Sequence, residues 1–135
     1  MSQSSAPFTV ASIEFNPGNE SLEANAAGAA AMVRQAAEAG ARLIALPEGS
    51  TSGFDFMHPG GPQPFHDTIP GRMTDALAEV ADEFGCYIGV GIFEVEPATG
   101  LKYNSAALVG PGGLVGKYRK HGLNDFDQLW AAPGN

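Results

Sequence analysis

The chain carries a single cysteine, Cys86, among 135 residues. One thiol cannot build an internal disulfide framework, and its scarcity fits a reducing compartment. Basic residues are also scarce. Seven Lys and Arg stand against fifteen Asp and Glu, giving a net charge of −8 and a pI near 4.6. Without a long basic tract or a basic helix, nucleic acid and anionic membrane are disfavoured as partners. No apolar stretch reaches bilayer-spanning length. The opening Met1-Ser2-Gln3-Ser4-Ser5 lacks the basic flank and apolar centre of an export signal. A cytoplasmic location is the expectation. Charged residues make up only 16% of the chain, but 44% of residues are hydrophobic. That balance belongs to a globular chain, and the length suits one domain with a modest core.

Glycine and proline are abundant, at eighteen and ten, so short elements should be joined by many tight turns. Residues 1–6 are small and polar and read as frayed. Phe8 to Phe15 alternates as a strand does. Asn16-Pro17-Gly18-Asn19 is a turn, with Asn19 or Ser21 able to cap a helix. Leu22, Ala26, Ala29, Val33 and Ala36 then form one narrow stripe, and so many alanines predict a helix lying close to a sheet. Gly40 ends it. Leu43-Ile44-Ala45-Leu46 is a near-continuous apolar run, expected to be a strand covered on both faces. Pro47 should stop its ladder, and Glu48 follows, before a small-residue turn from Gly49 to Gly53.

Asp55 to Pro70 reads as a long loop containing His58 and His66, which are taken as ordinary loop residues. No spacing there resembles a metal site. A second amphipathic helix is predicted from Arg72 to Phe84, with Met73, Leu77, Val80, Ala81 and Phe84 inward and Gly85 as its stop. Cys86 opens the next strand, which runs to Phe93. No His, Lys or Arg adjoins it in sequence to lower its pKa, so it reads as a buried inert thiol. Tyr103 to Val109 and Leu114 to Lys120 are further strands, with turns at Glu96–Gly100 and Pro111-Gly112-Gly113. The order β-α-β-α-β-β-β defines an α/β layer, one domain or part of one. The final Ala132-Pro133-Gly134-Asn135 is a turn signal after which a strand is expected, so the sequence reads as interrupted in mid-fold.

Glu48 and Lys120 both stand at strand ends. In a layered α/β fold such ends converge on one crevice. A carboxylate and an ammonium in one pocket can share acid–base work. They can equally form a plain salt bridge, and the residues alone leave both readings open.

Leu46-Pro47-Glu48 with Ser52-Gly53-Phe54, and Gly116-Lys117-Tyr118-Arg119-Lys120-His121, resemble the first two signatures of the nitrilase superfamily of carbon–nitrogen hydrolases. Between them, Tyr103-Asn104-Ser105-Ala106-Ala107 and the following Pro-Gly-Gly turn also resemble the family's pattern. The likeness runs from the first strand to Asn135. It implies an α-β-β-α sandwich, of which this is the N-terminal half, and a Glu–Lys–Cys triad with no metal or organic cofactor. By resemblance Glu48 is the general base and Lys120 stabilises the oxyanion. A second family carboxylate matches Asp127, with Asp125 as the other candidate; an aspartate there departs from the family's usual glutamate. His121 follows the lysine directly and is read as structural. The family's nucleophilic cysteine falls beyond this point, and Cys86 precedes Lys120 in the wrong element. The triad's Cys is therefore expected outside this chain, on the C-terminal half of the same domain, and this fragment alone is expected to be inactive. The implied substrate is a small amide, carbamoyl compound or nitrile, and the resemblance also implies a homo-oligomer. The competing readings are a catalytically inactive binding or regulatory module on the same fold, and an unrelated α/β domain in which Glu48 and Lys120 never meet.

Overall fold

The computed structural model describes residues 7–53 and 64–135. Residues 1–6, the turn residue Phe54 and the loop histidine His58 lie outside the described residues. The elements are β1 (Thr9–Ser12), α1 (Leu22–Glu38), β2 (Ala41–Ala45), α2 (Arg72–Phe84), β3 (Tyr87–Val95), β4 (Lys102–Gly110), β5 (Gly113–Arg119) and a closing 3-10 turn, Asp127–Leu129. This is the predicted order. Among the described residues, no helix is long and apolar enough to cross a membrane.

Both helices start where a side chain satisfies their free amides. Ser21 Oγ accepts from Ala24 N at 3.0 Å and starts α1. For α2 the acceptor comes from further upstream: the buried Asp67 carboxylate accepts from Met73 N at 2.8 Å and Arg72 N at 3.2 Å. A carboxylate there also complements the helix dipole. Gly85, at φ 63°, ends α2 in the left-handed conformation that glycine adopts without strain.

The five strands lie in chain order in one sheet. β1, β2 and β3 are parallel, and β4 and β5 follow as antiparallel hairpins. Two right-handed crossovers stepping the same way along a sheet put both helices on one face. There Val33, Met73, Leu77, Ile44, Ile88 and Val90 form the core. The alanines of α1 do what their size allows: Ala26, Ala29 and Ala37 are buried against this layer.

The expectation that the β2 run is covered on both faces does not hold for this chain. Ile44 is fully buried, but Leu43 is 44% exposed. The register continues the same open face through Val10, Tyr87, Leu108 and Tyr118, all of which are exposed. The apolar run lacks alternation although only its helix side is covered here. The chain thus supplies one helical and one sheet layer of an α/β fold. The β2 ladder ends at Ala45, as expected ahead of a proline. Pro47 lacks an N–H, and its carbonyl accepts one further bond from β3, from Gly91 N at 3.1 Å.

His66 is half-buried, its ring centroid 5.4 Å from that of Trp130. Burial, aided by the charge of Lys102, lowers its pKa to about 4. The ring is therefore neutral at physiological pH.

Candidate active site

The parallel course of β2 and β5 brings their C-terminal ends to the same edge of the sheet. Two strands still separate them, about 14 Å of sheet at the usual spacing. A small-residue loop closes that gap. After Pro47 the chain climbs over β3: Ser50 N donates to Gly91 O at 2.9 Å and Ser50 Oγ donates to Pro47 O at 2.7 Å. The climb requires glycine at position 91, because a Cβ there would lie 2.4 Å from Glu48 Cα and 2.7 Å from Pro47 O. The loop is fixed from below as well. Thr51 Oγ1 accepts from Phe93 N at 3.2 Å, and the Asn25 amide donates to Thr51 O at 2.8 Å. Glu48 is thereby carried onto the open face of the sheet.

Lys120 arrives from the other side, just past β5. Its backbone N–H donates to Asn104 O and its own carbonyl accepts from Gly134 N, at 2.8 and 2.9 Å. Its Nζ sits between two carboxylates, 3.1 Å from Glu48 Oε1 and 2.8 Å from Asp127 Oδ2. Asp127 is 1% exposed. Asn124 holds it by accepting from Asp127 N at 2.8 Å. The Lys120 pKa is raised, chiefly by the hydrogen bond to Asp127 against the opposing effect of burial, with Glu48 adding to the rise. The lysine is thus a fixed cation throughout the neutral range. Glu48 and Lys120 share the wall of a hollow of about 360 Å³ with Ala45, Gly89, Ala106 and Tyr118.

The structure therefore brings Glu48, Lys120 and Asp127 together. Asp125, the other candidate acid, is exposed. His121 is exposed and stacks on Tyr118 with ring centroids 5.7 Å apart. Cys86 is buried, and burial raises its thiol pKa. Sequence reasoning quoted Asn104 only within the Tyr103-to-Ala107 motif and gave it no role, yet its amide touches both carboxylates of the cluster. The available signal was that motif.

Gly91→Ala tests the loop's passage. The clash is with backbone, so relief must come from moving Pro47 and Glu48. Overpacking of this kind costs about 1–3 kcal/mol. A lowered melting temperature is the expected outcome, and a wild-type value would show that the loop does not depend on this glycine.

A mixed sheet with helices on one face, open on the other and holding a carboxylate–ammonium–carboxylate cluster at the C-terminal ends of β2 and β5, defines an α/β scaffold suited to acid–base chemistry. The carbon-nitrogen hydrolase family model matches residues 9–135, and the chain belongs to that family. It is similar to a nitrilase of Pyrococcus abyssi, 34% identical over 127 residues, covering 93% of this chain and 48% of that protein. It is also similar to omega-amidase NIT2 of Homo sapiens, 39% identical over 104 residues, covering 76% of this chain and 36% of that protein. The chain thus spans half or less of the length of these relatives. Among solved structures, the fold matches a carbon-nitrogen hydrolase from Helicobacter pylori with a TM-score of 0.76 at 21% identity, covering 93% of this chain and 44% of that one. An N-terminal amidase with an Asn-Glu-Ala peptide matches with a TM-score of 0.74 at 23% identity, covering 92% of this chain and 30% of that one.

Proposed function

We propose that this chain supplies the acid–base half of a hydrolase that cleaves a non-peptide carbon–nitrogen bond by a Glu–Lys–Cys mechanism. The observation that carries the reading is Lys120 Nζ held between Glu48 and Asp127 at the rim of the hollow. Glu48 accepts the proton of a cysteine thiol contributed from outside this chain. The thiolate attacks the substrate carbon, and for an amide the carbonyl electron pair moves onto oxygen. Lys120, already charged and already positioned, stabilises that oxyanion without reorganisation. Glu48 returns its proton to the departing nitrogen, and ammonia leaves as the thioester forms. Water then attacks the thioester, giving its proton to Glu48, and the thiol is restored as the acid departs. No metal or organic cofactor enters these steps. Asp127 serves by fixing the lysine.

Amides are favoured over nitriles and carbamoyl compounds because several relatives bear amidase names. The open sheet face needs apolar cover, and the reading assigns it to the C-terminal half of the same domain, which would carry the cysteine and close the sandwich. Self-association and a cytoplasmic location complete the proposal.

The test is ammonia release by the protein as the gene encodes it, from simple primary amides, ω-monoamides of dicarboxylic acids, N-carbamoyl amino acids and nitriles. Turnover abolished by a thiol alkylating agent supports the mechanism. Silence on every substrate class by a folded protein would favour the inactive binding module. Turnover that survives alkylation would remove cysteine from the mechanism.

A further inference from the structure

One residue of the cluster belongs to none of the three roles above. Asn104 is 2% exposed and lies within β4, paired with Phe93 of β3. Its Nδ2 donates to Glu48 Oε1 at 2.6 Å and to Asp127 Oδ1 at 3.1 Å. An amide nitrogen has two hydrogens, so each carboxylate takes one. The orientation is fixed by chemistry, since a flipped amide would set its oxygen against two anions. The backbone carbonyl of the same residue accepts from Lys120 N. Asn104 therefore touches Glu48, Asp127 and Lys120.

The bonds at Glu48 are unequal. Oε1 takes both Asn104 Nδ2 and Lys120 Nζ. Oε2 takes no hydrogen bond from any described residue. Glu48 is 47% exposed, and a glutamate side chain that open has several rotamers to sample unless it is tethered. Lys120 is held by Asp127 and also has the oxyanion to serve, so it is not a dedicated tether for Glu48. The rigid one is Asn104, built into the middle of a strand.

We propose that Asn104 is a positioning residue that divides the labour of the Glu48 carboxylate. Oε1 is the anchored oxygen, saturated by donors, and Oε2 is the oxygen that takes and returns the proton. This rests on the catalytic reading of Glu48. It adds that the base works through one defined oxygen, because a neutral amide, not a further charge, holds the other. An amide suits this place, for it donates to both anions without neutralising either and itself cannot accept the proton.

The experiment compares Asn104→Asp, Asn104→Ala and Glu48→Gln in the protein as encoded, with succinic acid monoamide as the probe or, should that not turn over, the best primary amide. Asn104→Asp keeps the shape and replaces the donor by an acceptor; Asn104→Ala removes the group. Each Asn104 variant is expected to lose about 10²-fold in kcat, the scale of a misplaced reacting group. KM should stay within about threefold, because Asn104 faces the carboxylates. A purely structural role would move the melting temperature without that split. Folded Asn104 variants with near-normal kcat, alongside an inactive Glu48→Gln, would overturn this inference and leave the catalytic reading standing. An active Glu48→Gln would overturn both. If neither Asn104 variant folds, Asn104 is a folding determinant and the inference is lost.

Discussion

Glu48→Gln in the protein as encoded is expected to lower kcat for amide hydrolysis by about 10²- to 10⁴-fold, the usual worth of a positioned general base. Its effect on stability should be small. Glu48 is half exposed, and its partner Lys120 keeps Asp127. Lys120→Ala should behave differently. Losing a charged oxyanion donor costs about 10²- to 10³-fold in rate. It also strips the buried Asp127 carboxylate of its cation, which costs about 1–3 kcal/mol of stability. The pair of variants thus separates two links in the same cluster, one chemical and one structural. Steady-state rates and denaturant midpoints measured on both check the expectation. Near-normal turnover by Glu48→Gln removes the general base from the mechanism. Unchanged stability of Lys120→Ala would mean that Asp127 finds other support.

Much of this arrangement was legible in the sequence because it lives in local signals. The α2 stripe, its glycine stop, the β-branched strands and the Pro-Gly turns each report on their own few residues, and they predicted the observed order of elements. Glu48 and Lys120 were legible as strand-end residues within family motifs. Three things were not. The cover on β2 could not be read, since Leu43 and Ile44 look alike in sequence although one is open and the other buried. The cap of α2 was hidden, since Asp67 reaches it from five residues before Arg72, through a stretch read only as loop. The division of the polar residues of β4 and β5 between two faces was also hidden. Asn104 and Ser105 are neighbours in β4, yet Asn104 serves Glu48 on the open face while Ser105 donates to Glu94 on the helix side. Arg119 and Lys120 divide in the same way. The alternation of a strand makes that split inevitable, but which face holds which partner depends on pairing register, which no local pattern states.

The Glu94 cluster yields the largest expected effect on stability, and it bears on the site. Every residue of β5 is exposed or only half-buried, so core packing contributes little to holding this edge strand. The ladder to β4 and a set of ion pairs do the holding instead. Glu94 of β3 is 1% exposed and accepts from Lys117 Nζ at 2.5 Å, Arg119 Nη2 at 2.7 Å, Arg119 Nε at 3.0 Å and Ser105 Oγ at 2.6 Å. The Arg119 guanidinium also bonds Glu96 and lies 3.8 Å from the Tyr103 ring centroid. Burial by itself would raise the Glu94 pKa, but the hydrogen bonds from Arg119, Lys117 and Ser105 outweigh it and hold the carboxyl at about 2, against 4.5 ordinarily. A depressed carboxyl stabilises the fold above its unfolded pKa. That contribution, about 3 kcal/mol at one pKa unit per 1.36 kcal/mol, should be intact above pH 4.5 and drain away as pH falls toward 2. Arg119→Ala leaves a buried carboxylate without its bidentate partner and is expected to cost about 3–5 kcal/mol near neutrality. Glu94→Gln should flatten the stability profile between pH 4.5 and 2, as the titrating group is gone. Urea midpoints across that range, for wild type and both variants, measure these effects. Parallel profiles for wild type and Glu94→Gln would place the acid sensitivity elsewhere. Because Lys120 directly follows Arg119, a β5 loosened by Arg119→Ala should also lose the placement of Nζ between Glu48 and Asp127. Turnover should then fall although nothing in the hollow has been replaced, so the ion cluster on one face of the sheet sets the lysine geometry on the other.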